Sequence, residues 1–214
     1  MKSSITKVIF FPAALLSILV ISSCANTKLT SVWMDQQKAG QSFNDILVIG
    51  IGEEEHNRRL FEEEFTTQLS AAGIESEVSY KILPQGTVIN RDTVVAAIEG
   101  KNIDAVIVTH LVGVDEETVY RTSMDYRPTY GYYNGLYNYY PHVHTYVHQP
   151  GYYTTHEVVK LETNLYEVST EELVWSAQSR SFAPESAKEV IDDLVKLVIK
   201  DMKDKGLIVS KKSS

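Results

Sequence analysis

The sequence predicts a mixed α/β domain, and three observations carry that expectation. Two short runs, Ile46-Leu47-Val48-Ile49-Gly50-Ile51 and Ala105-Val106-Ile107-Val108, have the continuous β-branched, apolar character of strands buried on both faces. Segments with helical spacing alternate with them, which gives a β-α-β-α-β order with a parallel sheet and right-handed crossovers. After a long tyrosine-rich insertion the pattern changes to an antiparallel β-hairpin and a carboxy-terminal helix.

The elements follow in chain order. Phe43 to Gly52 holds the first strand. Asn57 to Ala72 is a helix in which Leu60, Phe61, Phe65 and Leu69 share a face, and Gly73 stands where a helix C-cap belongs. Ile74 to Leu83 reads as a second strand, broken by Pro84-Gln85-Gly86. Asp92 to Lys101 is a second helix with Asp92 as N-cap and Val94, Val95 and Ile98 turned inward. Asp104 to Val112 is the third strand.

Residues 120–156 form the Tyr/His-rich insertion. Val158 to Val168 and Leu173 to Phe182 form the hairpin about Ser169-Thr170-Glu171. In its second strand Leu173, Trp175 and Ala177 share a face, which makes Trp175 a core residue packed on the last helix. That helix, Ser186 to Lys205, aligns Val190, Leu194, Leu197, Val198 and Met202, and Gly206 ends it. The domain is thus expected over 43–206, with a polar tail at 207–214.

The amino terminus has a different logic. Met1 to Lys7 is short and basic, and Val8 to Ile21 is almost wholly apolar. The run is too short for a membrane-spanning helix, which needs roughly 20 apolar residues, and has the length of a signal-peptide core. Ile21-Ser22-Ser23-Cys24 resembles the lipobox of bacterial lipoproteins. The resemblance implies cleavage between Ser23 and Cys24 and lipidation of Cys24. It makes residues 1–23 a signal peptide and 24–42 a lipidated tether, on which Val32 and Trp33 can dock back. Cys24 is the one cysteine of the chain, so no intrachain disulfide can form, and acylation would block a thiol otherwise odd in an oxidising compartment. Ala25 follows the cysteine, where similar Gram-negative proteins destined for the inner membrane carry aspartate. The expected location is therefore the outer membrane, with the domain in the periplasm.

The phrases Ile46 to Ile51, Arg58 to Phe65, Asp104 to Thr109, Asn164 to Val168 and Leu173 to Ala177 together resemble a group of uncharacterised bacterial lipoproteins with a domain of unknown function. The element order is also similar to the α/β domains of envelope lipoproteins, such as the curli-secretion lipoprotein, and to the amino-terminal domain of the Tol translocation protein. The resemblance implies work through protein contacts in the envelope, an analogy of fold that assigns no site.

Charge and motifs bound the chemistry. The formal net charge is −8. Loss of Lys2 and Lys7 with the signal would make it more negative still, which disfavours nucleic acid as a partner. Gly50-Ile51-Gly52 between strand and helix lacks the third glycine of a dinucleotide fingerprint. Glu53, Glu54 and Glu55 would repel a pyrophosphate, so no nucleotide is expected. No cofactor is expected either.

Eleven of the 13 tyrosines fall between Tyr120 and Tyr153. Tyrosine joins a flat apolar ring to a hydroxyl, which suits protein or sugar recognition. Tyr130, Tyr132, Tyr133, Tyr137, Tyr139 and Tyr140 are the expected contact residues for a protein or peptidoglycan partner. A metal-binding module built on His142, His144, His148 and His156 is an alternative, with His142, His144 and His148 as the first ligands. An envelope hydrolase using Glu62-Glu63-Glu64 and Asp115-Glu116-Glu117 is another. Acidic runs, however, are usually solvated faces, and no Gly-x-Ser-x-Gly elbow marks a nucleophile. The favoured expectation is a non-enzymatic, lipid-anchored envelope protein that binds or assembles an envelope component.

Overall fold

A computed structural model of the chain describes residues 26–83, 86, 88–122, 135, 137, 139–141, 143–144 and 150–209. Their order is β1 (Thr27–Met34), a 3-10 turn (Gln36–Lys38), β2 (Asp45–Ile51), α1 (Glu55–Ala71), β3 (Glu75–Val78), α2 (Ser79–Ile82), α3 (Arg91–Ile98), β4 (Ala105–Arg121), β5 (Tyr152–Glu167), β6 (Leu173–Phe182) and α4 (Ala187–Asp204). The six strands form one mixed sheet in the order β1-β6-β5-β4-β2-β3. The β3-β2-β4 half is parallel and the rest antiparallel, so the mixed α/β expectation holds.

The sheet buries its two faces unequally. On one face α1 and α4 cover Ile46, Val48, Ile107, Leu165, Trp175 and Ala177, which with the helices' own Phe65, Leu69, Leu194 and Val198 make the main core. Phe61 and Phe65, one helical turn apart, meet edge to face at 5.4 Å. The Trp175 indole is fully buried against α4, and its Nε1 donates to Asp201 Oδ2 at 2.8 Å. On the other face a smaller cluster of Leu47, Ile49, Ile103 and Val106 packs with Val94 and Ile98 of α3. Because β2 and the first residues of β4, Ala105 to Val108, are covered on both faces, those stretches are continuously apolar rather than alternating.

Five expectations change besides the lengths of the third strand, which runs on to Arg121, and of the first hairpin strand, which begins at Tyr152 inside the expected insertion. The 24–42 tether contains β1, an edge strand paired along β6 from Thr27↔Ser181 to Met34↔Trp175. The expected second strand stops at Val78, because the chain turns there into α2 to bring Ser79 and the Tyr80 amide to a buried carboxylate described below. Helix α3 is capped by Asn90, not Asp92: the Asn90 side chain accepts from Thr93 N while Thr93 Oγ1 accepts from Asn90 N. Val95 faces solvent. The 207–214 tail is not polar throughout, since Leu207 and Ile208 are buried and Ile208 bridges to Phe43.

Candidate contact surface

Strands β4 and β5 outrun their neighbours. β2 ends opposite His110, so β4 from Leu111 onward pairs with β5 alone. β6 ends at Phe182 opposite Val158, and just past it Ala183 N still donates to Glu157 O, so Tyr152 to His156 pair with β4 alone. The five rungs from Glu117↔His156 to Arg121↔Tyr152 therefore form a free two-stranded ribbon, roughly 17 Å long at the usual rise per residue. An isolated ribbon is marginal by itself. Here it is rooted in a six-stranded sheet, with Val112 as an extra residue at its base, where the register slips between Leu111 and Gly113.

The alternation of side chains gives the ribbon two faces. One starts above Glu116 and Glu157 and carries Thr118 with Thr155 (Oγ1 to Oγ1, 3.2 Å), then Tyr120 with Tyr153, whose rings lie 5.2 Å apart. The other carries Glu117, His156, Arg121 and Tyr152. At the base of this second face Arg180 pairs with Glu117 and Lys160 with Asp115. Beside them, hydrogen bonds from Asn164 and then Gln178 hold the Glu162 carboxyl below the usual carboxylate range.

The tip is ordered by a local fit. Tyr120 lies across the chain at Gly151, whose N–H donates to the tyrosine oxygen at 3.0 Å. A Cβ at position 151 would sit 2.1 Å from the ring, so only glycine allows this approach. Tyr153 is 72% exposed, and Tyr120 and Tyr152 are more than half exposed.

Of the six expected contact tyrosines, Tyr130, Tyr132 and Tyr133 lie outside the described residues. Tyr137 and Tyr140 are strongly exposed, and Tyr139 less so. The Tyr139 N–H donates to Gly135 O, and the Tyr140 and His144 rings lie 5.7 Å apart. Ser23, Cys24, His142 and His148 also lie outside the described residues. His156 is drawn into the ribbon instead, with Nε2 3.0 Å from Thr154 Oγ1 and its ring 5.0 Å from that of Phe182. Among the described residues no group of three metal-ligating side chains is brought together.

The acidic runs divide. Glu62, read as part of a solvated face, is fully buried. Its carboxylate accepts from Gly50 N (3.0 Å), Arg58 Nε (3.1 Å), Ser79 Oγ (2.6 Å) and Tyr80 N (3.1 Å). Every donor around it is thus spent on holding α1, α2 and the end of β2 together. Gly50 also serves this packing: a Cβ there would meet the Phe61 ring at 3.1 Å. Glu55 pairs with Arg59 and Arg58, and the Arg59 bond chiefly holds its carboxyl below the ordinary value. A concavity of about 470 Å³ at the far end of the sheet is lined by Asp104 and Glu167. Asp104 accepts from the Asn44 and Asp45 amides, and Glu167 from Lys38 and Thr170.

Sequence reasoning missed Glu116, Glu157, Tyr120, Tyr152 and Tyr153 as a surface. The signal was the alternation of Glu116, Thr118 and Tyr120, which is strand-like and continues the third strand beyond Val112.

No protein-family model matches the sequence, and neither does any curated protein. Among solved structures, the chain is similar to a PelC dodecamer from Paraburkholderia phytofirmans that carries a single substitution. The identity is 14%, 86% of this chain and 97% of that one are covered, and the TM-score is 0.44. It is also similar to the lipoprotein GNA1162 from Neisseria meningitidis, at 15% identity, with 75% and 99% coverage and a TM-score of 0.39.

Proposed function

We propose that the chain is a non-enzymatic, lipid-anchored envelope protein that uses the tyrosine-bearing β4–β5 ribbon to contact an envelope component. The observation that carries this reading is the ribbon itself. It projects past the sheet, contributes nothing to the core, and presents Tyr120, Tyr152 and Tyr153 to solvent. Exposed tyrosines on a rooted strand pair lose little conformational freedom on binding, so they make efficient contact groups.

The anchor rests on the lipobox-like Ile21-Ser22-Ser23-Cys24. The chains attached there would add about 0.8 kcal/mol per buried CH2. The non-enzymatic reading is supported by how the described carboxylates are used, since Glu62, Asp104 and Glu167 are each occupied by donors that fix the fold.

A photo-cross-linking residue at position 153 or 137, introduced into the full chain in intact cells, tests the reading. Specific adducts at these positions, with none from the same probe at Lys203 on α4, are expected. Identical adduct patterns at all three positions would refute it.

A further inference from the structure

We infer that β1, the outer strand of the sheet, rests along the head-group interface of the bilayer that holds the acyl chains on Cys24, with Val32 and Trp33 as its apolar footing. The inference rests on the anchor proposed above, and it leaves the ribbon free for its own contact.

The tether sets the first limit. The Phe182 N–H donates to Asn26 O, so the chain is already fixed to the sheet at Asn26, two residues after Cys24. Two extended residues span at most about 7 Å. Asn26 must therefore stay close to the lipid surface. The sheet sets the second limit. Thr27 pairs with Ser181, Ser181 with Val159, and Val159 with Val114. From that rung β4 runs seven residues on to Arg121, and β1 runs seven residues the opposite way to Met34, roughly 23 Å each.

These lengths restrict how the domain can sit. With the strands upright, either end down, Asn26 would stand about 20 Å from the lipid, nearly three times the reach of the tether. With β3, the opposite edge, turned down, five strand spacings or roughly 24 Å would intervene. With the helix-covered face down, α1 and α4 would interpose a layer roughly 10 Å thick. The β1 edge and the open sheet face beside it are left.

Side-chain directions decide between these two. Val32 pairs with Ala177 on the helix-covered face, and Trp33 pairs with Ser176 and so points to the other face. They are 39% and 50% exposed. Only a surface laid against the edge itself meets both. Trp33 stands six residues beyond Thr27, roughly 20 Å along the strand, so the acyl chains and the indole hold the edge near its two ends. An indole suits this interface, where its ring meets apolar stems and its N–H stays wet. Charge agrees. The chain has 28 Asp and Glu residues, yet none lies in Thr27–Met34. The one charged side chain there is the exposed Lys28, whose stem can reach lipid phosphates. The outward N–H and C=O groups of an edge strand need partners, and hydrated head groups supply them. A second copy adding a strand would supply them too, but Lys28 and the irregularity between Leu29 and Ser31 blunt the edge against such pairing.

The test uses the full acylated protein, purified from membranes and reconstituted in vesicles of phosphatidylcholine and phosphatidylglycerol. Acylation occupies the one native thiol, so Val32→Cys, Trp33→Cys, Tyr153→Cys and Glu99→Cys each offer a single site for an environment-sensitive fluorophore. Glu99, exposed at the end of α3, is the reference. Labels at 32 and 33 should emit to the blue of the Glu99 label and be quenched several-fold more strongly by a nitroxide on the lipid head group. Water-exposed labels at 32 and 33 on vesicle-bound protein would overturn the inference. So would blue-emitting labels there that the nitroxide leaves unquenched, the mark of a second copy paired along β1. Quenching at 153 in place of 32 and 33 would overturn it as well. Each of these results leaves the anchor standing. A sample whose intact mass lacks acyl chains would overturn the inference together with the anchor.

Discussion

Replacing Glu62 by alanine probes how the ribbon's scaffold is held. The carboxylate is fully buried and satisfies four donors: two backbone amides, the Ser79 hydroxyl and the Arg58 guanidinium. Removing one partner of a buried ion pair costs roughly 3–5 kcal/mol, and each orphaned buried donor costs roughly 1–3 kcal/mol. Arg58 keeps Glu55 at 3.3 Å and its side chain is 17% exposed, so part of that loss is recovered. A cost of about 3–4 kcal/mol follows, a large share of the roughly 5–15 kcal/mol that a domain has. Glu62→Gln keeps the shape but turns an amide N–H toward donors, and should cost about 2 kcal/mol. Glu63→Gln, one residue away on the exposed side, should stay within about 0.5 kcal/mol. Urea unfolding of the mature chain measures all three, with an unchanged m-value as the sign of an intact native state. A Glu62→Ala loss below about 1 kcal/mol, or one matching Glu63→Gln, would refute the reasoning that this carboxylate clamps α1 over β2.

Three further outcomes are expected. Gly151→Ala should expel the Tyr120 ring from its place and speed amide exchange in the ribbon, while global stability changes little, because the clash at 2.1 Å is confined to the tip; hydrogen exchange by NMR reads both. Trp175→Phe should cost about 1–2 kcal/mol, since the Asp201 bond at 2.8 Å is lost and a cavity is left in the main core; urea unfolding measures it. The hydrogen bond from Lys38 chiefly holds the Glu167 carboxyl below its ordinary value, so this pair stabilises the fold above the unfolded carboxylate pKa and loses that contribution as pH falls through the lowered one. The urea midpoint of the wild type should then drop more steeply than that of Lys38→Met between about pH 5 and pH 3, and equal slopes would contradict the pairing.

Much of the scaffold was legible because its signals are local and redundant. Ile46 to Ile49 and Ala105 to Val108 are continuous apolar runs, as a strand covered on both faces requires. Ser186 caps α4 through Glu189 N at 3.2 Å, as an N-cap serine should. What stayed hidden depends on partners distant in sequence. β1 reads as a polar lead-in because an edge strand with one exposed face needs few apolar residues. Glu62 was masked by its acidic neighbours, although Arg58, Glu62, Phe65 and Leu69 recur at helical spacing and place it on the buried stripe. The ribbon was cut short because its alternation is carried by Glu, Thr and Tyr rather than by Val and Ile.

The intact mass of the chain extracted from membranes tests the foundation most directly. A species beginning at residue 24 and heavier by a thioether-linked diacylglyceryl group is the expected result. A chain that still carries Met1, or one that begins at Cys24 with a free sulfhydryl, would contradict the lipid anchor and the orientation built upon it.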